Sequence, residues 1–263
     1  MKKLIPITLV LSVALQAEWM DTLGSMAKEY GKGASSSVTD QKRQSDQNSS
    51  AIKQALEFGV KKAIATLGKE NGFYKNPLVK IGLPKNVQTV ASTLRKVGMG
   101  KYVDQFELSM NRAAEEAVPQ TAKVLIDTIK ELKIEEAKKL VMSKEPNAIT
   151  KYFKTHAGQK LAKKIAPIIK KHMESQNVTK YYQTMMSYYK KYGKQYTDNK
   201  YAQMAMGALG MGQGEEEAKD LSTYVTNKTL QGIYKMIEEE EKAIRTTTAA
   251  RTTQLLQKVF GGK

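Results

Sequence analysis

Apolar residues recur at three- and four-residue spacings along most of the chain, the period of amphipathic helices. Ile52, Leu56, Val60, Ala63, Ile64 and Leu67 predict a helix closed by Gly68 as its C-cap. Asn86 to Val97 predicts a second, stopped by Gly98 and Gly100. Val103, Phe106, Met110, Ala113, Ala114 and Ala117 give the next helix its buried face, and Pro119 either kinks it or opens its successor. Short helices are expected over Ile134 to Val141 and Pro146 to Phe153. Leu161, Ile165, Ile168 and Ile169 form a later stripe, in which Pro167 should bend or restart the helix. Asp220 and Ser222 can cap a long helix running through Ile244. Thr247 or Thr248 starts the last one, with Leu255, Leu256, Val259 and Phe260 on one face.

The interruptions complete the outline. Asn71-Gly72 and Asn76-Pro77 mark turns, and residues 78–84 alternate before Pro84, so one short extended segment is expected there. No period of 20–50 residues repeats. The expected fold is all-α, a single irregular helical bundle over residues 50–263. Before it, residues 18–49 predict a short helix bearing Trp19, Leu23 and Met26, then a flexible polar leader rich in Ser, Gln and Asp. Residues 202–214 carry Met204, Met206 and Met211 among four glycines, apolar yet poorly helical, and predict a mobile insertion.

Residues 1–17 have the pattern of a secretory signal peptide. Lys2 and Lys3 form a basic start, Leu4 to Leu15 an apolar run, and Ala17 a small residue for cleavage, with Ala14 as the competing site. The run is shorter than the ~20 residues of a membrane span. A periplasmic location follows as the expectation, and with it genomic DNA becomes an unlikely partner.

Charge adds a bias. The chain carries 43 Lys and Arg against 26 Asp and Glu, a formal net charge of +17, and only five of the basic residues are arginines. Such a balance favours anionic partners. Residues that read specific nucleic-acid sequence lean on the planar fork of Arg, so nucleic acid is disfavoured. Zero Cys excludes disulfides, thiol catalysis and Cys-ligated metals, and two His, sixteen residues apart, argue against a His-rich metal site. No phosphate loop, nucleophile elbow or zincin helix is present. No catalytic residue, metal ligand or cofactor is therefore assigned.

Several motifs in order resemble one bacterial family. They are Asn76-Pro77-Leu78-Val79-Lys80-Ile81-Gly82-Leu83-Pro84, Asn111-Arg112-Ala113-Ala114-Glu115, and Tyr224-Val225-Thr226 with Lys228, Leu230 and Gly232. Glu239-Glu240-Glu241-Lys242 with Ile244-Arg245, Ala249-Ala250-Arg251-Thr252-Thr253 and Lys258-Val259-Phe260-Gly261 complete the set. The chain is similar to the uncharacterised exported family catalogued as domain of unknown function 4197, over about Ser50 to Gly261. That resemblance implies an exported, mostly helical protein with no assigned activity. Gly82, Gln231 and Thr247-Thr248 depart from the family pattern of Pro, Asp and Asn-Pro, so no acid or metal role is expected at Gln231.

Two groups of residues stand out. Residues 151–200 hold twelve lysines against Glu174 and Asp198, interleaved with tyrosines. Lys160, Lys163, Lys164, Lys170, Lys171, Lys180, Lys190 and Lys191, with Tyr181, Tyr182, Tyr188 and Tyr189, are candidates to bind an anionic membrane surface or envelope polymer. The second group is the scarce arginines. A chain that uses Lys by default needs a guanidinium where a fixed fork is required, and carboxylates are its usual mates. Arg112, Arg245 and Arg251 are therefore expected in a partly buried structural network with Glu115, Glu116 and Glu240, linking Arg112 or Arg251 to Glu240. Three functional classes fit. The leading one is a non-enzymatic binding or scaffold protein of the envelope. The alternatives are a helical carrier of an apolar ligand gated by the Met/Gly segment, and an enzyme using the carboxylates of Glu238 to Glu241.

Overall fold

The computed structural model describes residues 40–193 and 214–262. The signal sequence, the leader up to residue 39 and residues 202–213 of the expected insertion lie outside the described residues. The described residues form eight α-helices: α1 (Asp40–Leu67), α2 (Gln88–Lys96), α3 (Gly100–Glu131), α4 (Ala137–Met142), α5 (Ala148–Ser175), α6 (Val178–Tyr188), α7 (Gly214–Thr246) and α8 (Gln254–Phe260). A 3₁₀ turn, Lys85–Val87, precedes α2, and a π-helical turn, Tyr189–Gly193, follows α6. The described residues contain no strand.

Several boundaries differ from expectation, for physical reasons. α1 begins at Asp40, ten residues before Ser50, because residues 42–47 are a solvated extension with no apolar face to announce it. Neither proline breaks its helix: Pro119 lies within α3 and Pro167 within α5. A proline removes one hydrogen bond and crowds one turn, which packing on both sides can absorb. The short helix expected over Pro146 to Phe153 is thus the first turns of α5. At the C-terminus, Thr253 rather than Thr247 or Thr248 caps α8, its side chain accepting from the Leu256 amide.

α3 and α5 run antiparallel along each other. Glu131, at the end of α3, meets Lys160, while Glu116, mid-helix, accepts from the Gln176 side chain at 2.6 Å. Asn177 turns the corner in the left-handed region (φ +53°), which Asn tolerates better than most residues. α6 then continues down the first half of α3, with the Tyr182 ring 5.4 Å from Phe106 and the Tyr188 ring 3.8 Å from Tyr102. α7 packs along the remaining side of α5. The shared core includes Leu56, Val60, Phe106, Met110, Leu125, Phe153, Ile165, Ile237 and Phe260, all fully buried or nearly so.

α1 crosses α7 at a contact that only glycine permits. A Cβ on Gly59 would stand 2.9 Å from the Ile237 Cα. Gly232, on α7, faces the ring of Phe73, and its Cβ would lie 2.6 Å from Cε1. Gly82, by contrast, has nothing within 4 Å. Gly59→Ala and Gly232→Ala should each cost about 1–3 kcal/mol by overpacking, lowering the melting temperature by several degrees, while Gly82→Ala leaves it unchanged. Thermal unfolding of the three variants checks this, and equal melting temperatures would contradict the packing described.

Candidate functional site

The segment from Lys69 to Pro84 is held by polar side chains four residues apart on α3. Glu115, 3% exposed, accepts the amide protons of Phe73 and Tyr74, both at 2.9 Å. The Arg112 guanidinium donates to the other Glu115 oxygen at 2.5 Å, to Glu70 at 2.9 Å and to the Asn71 side chain at 3.1 Å. One turn earlier Asn111, fully buried, accepts from the Ile81 amide at 2.9 Å and donates to its carbonyl at 2.8 Å. An amide side chain pairs with a backbone residue as a neighbouring strand would. Of the expected extended segment, residues 77–79 form a turn, and Ile81 meets the Asn111 side chain where a strand would meet a strand. Glu107 pairs with Lys80 at 2.8 Å, and the Tyr224 hydroxyl donates to the Gly82 carbonyl from α7.

A second clasp joins α4, α5 and α7. Glu241, 2% exposed, accepts from the amides of Ile149 and Thr150 at 2.9 and 2.8 Å and from the Thr150 hydroxyl at 2.7 Å. Those amides belong to the first turn of α5, whose N–H groups have no partner within the helix. Arg245 donates to Glu241 through Nε at 3.0 Å and Nη2 at 2.9 Å, and to the carbonyls of Leu140, Val141 and Ser143 at the end of α4. One ion pair thus caps the end of one helix and the start of the next. Arg251 donates to the carbonyls of Ile244 and Arg245, closing the end of α7.

This arrangement corrects the expected network. Arg112 and Arg251 do not reach Glu240, which is half-buried; the buried acid is its neighbour Glu241. The stripe of α7 is centred on Ile233, Ile237 and Ile244, and at 100° per residue Glu240 lies nearer that centre than Glu241; the α4–α5 corner, packed on the Glu241 side, is what buries Glu241 instead. Glu115 joins Arg112 as expected. Glu116 instead faces α5, where it meets His172 Nδ1 at 3.2 Å and Gln176. The other carboxylates of the Glu238–Glu241 run do not converge with it: Glu239 pairs with Lys235 at 2.8 Å, and Glu238 lies 3.9 Å from the same ammonium. Among the described residues no three His, Asp or Glu side chains gather as a metal site.

The lysine candidates lie on the surface. Lys160, Lys163, Lys164, Lys170 and Lys171 are exposed on α5, Lys180 on α6, and Lys190 and Lys191 in the π turn. On α5 they occupy one arc opposite the stripe of Leu161, Ile165 and Ile169. Lys160 pairs with Glu131, whose carboxyl this hydrogen bond and the charges of Lys160 and Lys164 hold below the usual range. Among the described residues no carboxylate lies within 4.0 Å of Lys163, Lys164, Lys170, Lys171, Lys180 or Lys190.

The tyrosines divide. Tyr182 and Tyr189 are buried in the core, 4% and 1% exposed, so they are corrected from binding candidates to packing residues. Their spacing carried the signal: Tyr182, Met185, Met186 and Tyr189 recur at i, i+3, i+4 and i+7, a buried stripe. Tyr181 is half-buried against that core. Tyr188 stacks with two rings, Tyr102 at 3.8 Å and Tyr192 at 6.0 Å, each tilted by 17° from it. The ammonium of Lys101 lies 5.0 Å from the centre of the Tyr102 ring, and that of Lys191 lies 5.1 Å from Tyr192. Tyr102 and Lys101 carry no signal in the sequence, since only the fold brings α3 beside α6.

The geometry defines a helical bundle tied by two arginine–carboxylate clasps and carrying a lysine face along α5 and α6. The family described as protein of unknown function (DUF4197) matches residues 42–261, and the chain belongs to it. No curated protein and no solved structure matches the chain. No described helix is long and apolar enough to cross a membrane.

Removing one partner of a buried ion pair typically costs about 3–5 kcal/mol, and Glu241→Ala also strands two helix-end amides. That variant should unfold far below the parent. Arg245→Lys should lose most of the same stability, because one ammonium cannot reach three carbonyls and a carboxylate; parent-like denaturant midpoints in both would contradict the clasp. Glu57, on α1, has its carboxyl pushed up by burial, against the charges of Lys61, Lys130 and Lys53. A raised folded-state value means that its stabilising contribution is present at low pH and lost as pH rises through it. Glu57→Gln should therefore raise the melting temperature at pH 7 and match the parent in acid; a variant less stable than the parent at pH 7 would reverse the sign.

Proposed function

We propose that this protein is an exported, non-enzymatic binding protein of the cell envelope, and that its lysine face docks on an anionic surface. The observation that carries the reading is the arc of exposed, unneutralised ammonium groups at Lys163, Lys164, Lys170 and Lys171. Other charged side chains have structural uses: Arg245, Glu115 and Glu241 are committed to backbone groups, Arg112 to the side chains of Glu115, Glu70 and Asn71, and Lys235 to its own helix. These four lysines have no carboxylate within 4.0 Å among the described residues, and a local excess of like charge weakens the folded state unless a ligand offsets it. Phosphate and carboxylate groups, on lipid headgroups or on a polymer, supply that counter-charge. The apolar start of the chain, read as a signal sequence, supports export.

Each Lys near an anionic surface contributes on the order of 1 kcal/mol and is screened within a Debye length. Replacing Lys163, Lys164, Lys170 and Lys171 together by Gln should therefore reduce binding at least about a hundredfold. Sedimentation with anionic and neutral vesicles, and affinity electrophoresis through a soluble polyanion, measure it at low and moderate salt. Binding by the quadruple variant equal to the parent's would overturn the reading, as would binding by the parent that ignores both charge and salt.

A further inference from the structure

We propose that the lysine face takes a linear anionic glycan, and that the column of Tyr102, Tyr188 and Tyr192 is the subsite that receives its sugar ring. The inference rests on the reading above and names the ligand of the same surface. Its first support is the shape of the face. α5 and α6 follow one another down the length of α3, a helix of 32 residues, roughly 48 Å. The exposed lysines on them, from Lys160 to Lys191, are strung along a track, which suits an extended chain.

The second support is the chemistry at the end of the track. Three rings stand together, none fully buried, with Tyr188 near-parallel to each of the other two and an ammonium over Tyr102 at 5.0 Å and over Tyr192 at 5.1 Å. Charge neutralisation alone needs no aromatic group. A bilayer anchor would place apolar side chains at the tip, and ammonium groups directly over the rings would oppose entry into hydrocarbon. A uronate residue matches both halves of the site. Its C–H face takes the place over the Tyr192 ring that the exposed Lys191 ammonium holds in the free protein, and that ammonium moves aside to meet its carboxylate. Single-stranded nucleic acid also joins rings to anions, but the cations strung along this track are ammonium groups: Lys101, Lys160, Lys163, Lys164, Lys170, Lys171, Lys180, Lys190 and Lys191. Phosphate and base recognition draws on the fork of Arg, whereas a lysine ammonium serves a carboxylate equally well.

Three probes separate the contributions: polygalacturonate, with a carboxylate on every ring; polyphosphate, with charge and no rings; and oligothymidylate. The full chain and two variants, Tyr192→Leu and Tyr192→Phe, are titrated with each at fixed salt. The expected result is a loss of about tenfold for Tyr192→Leu on polygalacturonate, the scale of one stacking contact, with polyphosphate binding unchanged and Tyr192→Phe close to the parent. Equal effects of Tyr192→Leu on polygalacturonate and polyphosphate, or none on either, overturn the aromatic subsite while leaving the anionic-surface reading in place. Tighter binding of oligothymidylate than polygalacturonate assigns the track to nucleic acid and overturns the inference too. A parent that binds none of the three, and no anionic vesicle, removes both readings together.

Discussion

Two buried carboxylates hold the connections of this fold, and they do so by the same device. Glu115 and Glu241 each accept a pair of consecutive backbone amide protons and are each paired with an arginine on their own helix. A carboxylate taken out of water without partners costs several kcal/mol, and the guanidinium with two or three N–H or O–H donors offsets that cost. What the bundle obtains is position. Glu115 fixes the turn after α1 onto α3, and Glu241 with Arg245 fixes the α4–α5 corner onto α7. Neither connection has a sheet or a disulfide to define its path, since the chain has no Cys and the described residues form no strand.

The pairing explains how the two kinds of cation are used. Arg112, Arg245 and Arg251 sit where one side chain must reach several acceptors at fixed angles, and all three donate to backbone carbonyls, to a carboxylate or to both. The lysines of α5 stand on a solvated arc with few or no counter-charges. Structural charge and surface charge are thus separated by residue type. The proposed binding role follows from that separation, because the face left unneutralised is long, exposed and next to aromatic rings.

Much of this was legible from the residues. The helical period placed most of the helices, Gly68 and Gly98 mark ends in the structure, and the scarcity of Arg singled out the three that matter. The misses have physical causes. Helical phase points to Glu240, four residues from both Met236 and Ile244, whereas the buried acid is Glu241, because the α4–α5 corner packs on its side of α7. That Glu241 would cap α5 was beyond reach, since Ile149 and Thr150 lie 92 and 91 residues away and helix-end amides leave no mark on composition. The solvated start of α1 carries no apolar period. Residues 78–84 alternate like a strand, yet their partner is the side chain of Asn111, a choice only the packed α3 reveals.

The central claim is that the carboxylates of Glu115 and Glu241 are bound to backbone amides in the folded protein. Native-state amide hydrogen exchange reads this at four positions: Phe73, Tyr74, Ile149 and Thr150. Turn residues and first-turn helix amides ordinarily exchange quickly, having no acceptor within their own element. The account predicts that all four exchange as slowly as the interiors of α3 and α7, opening only with global unfolding. Exchange at the rate of frayed helix ends at these positions would contradict it.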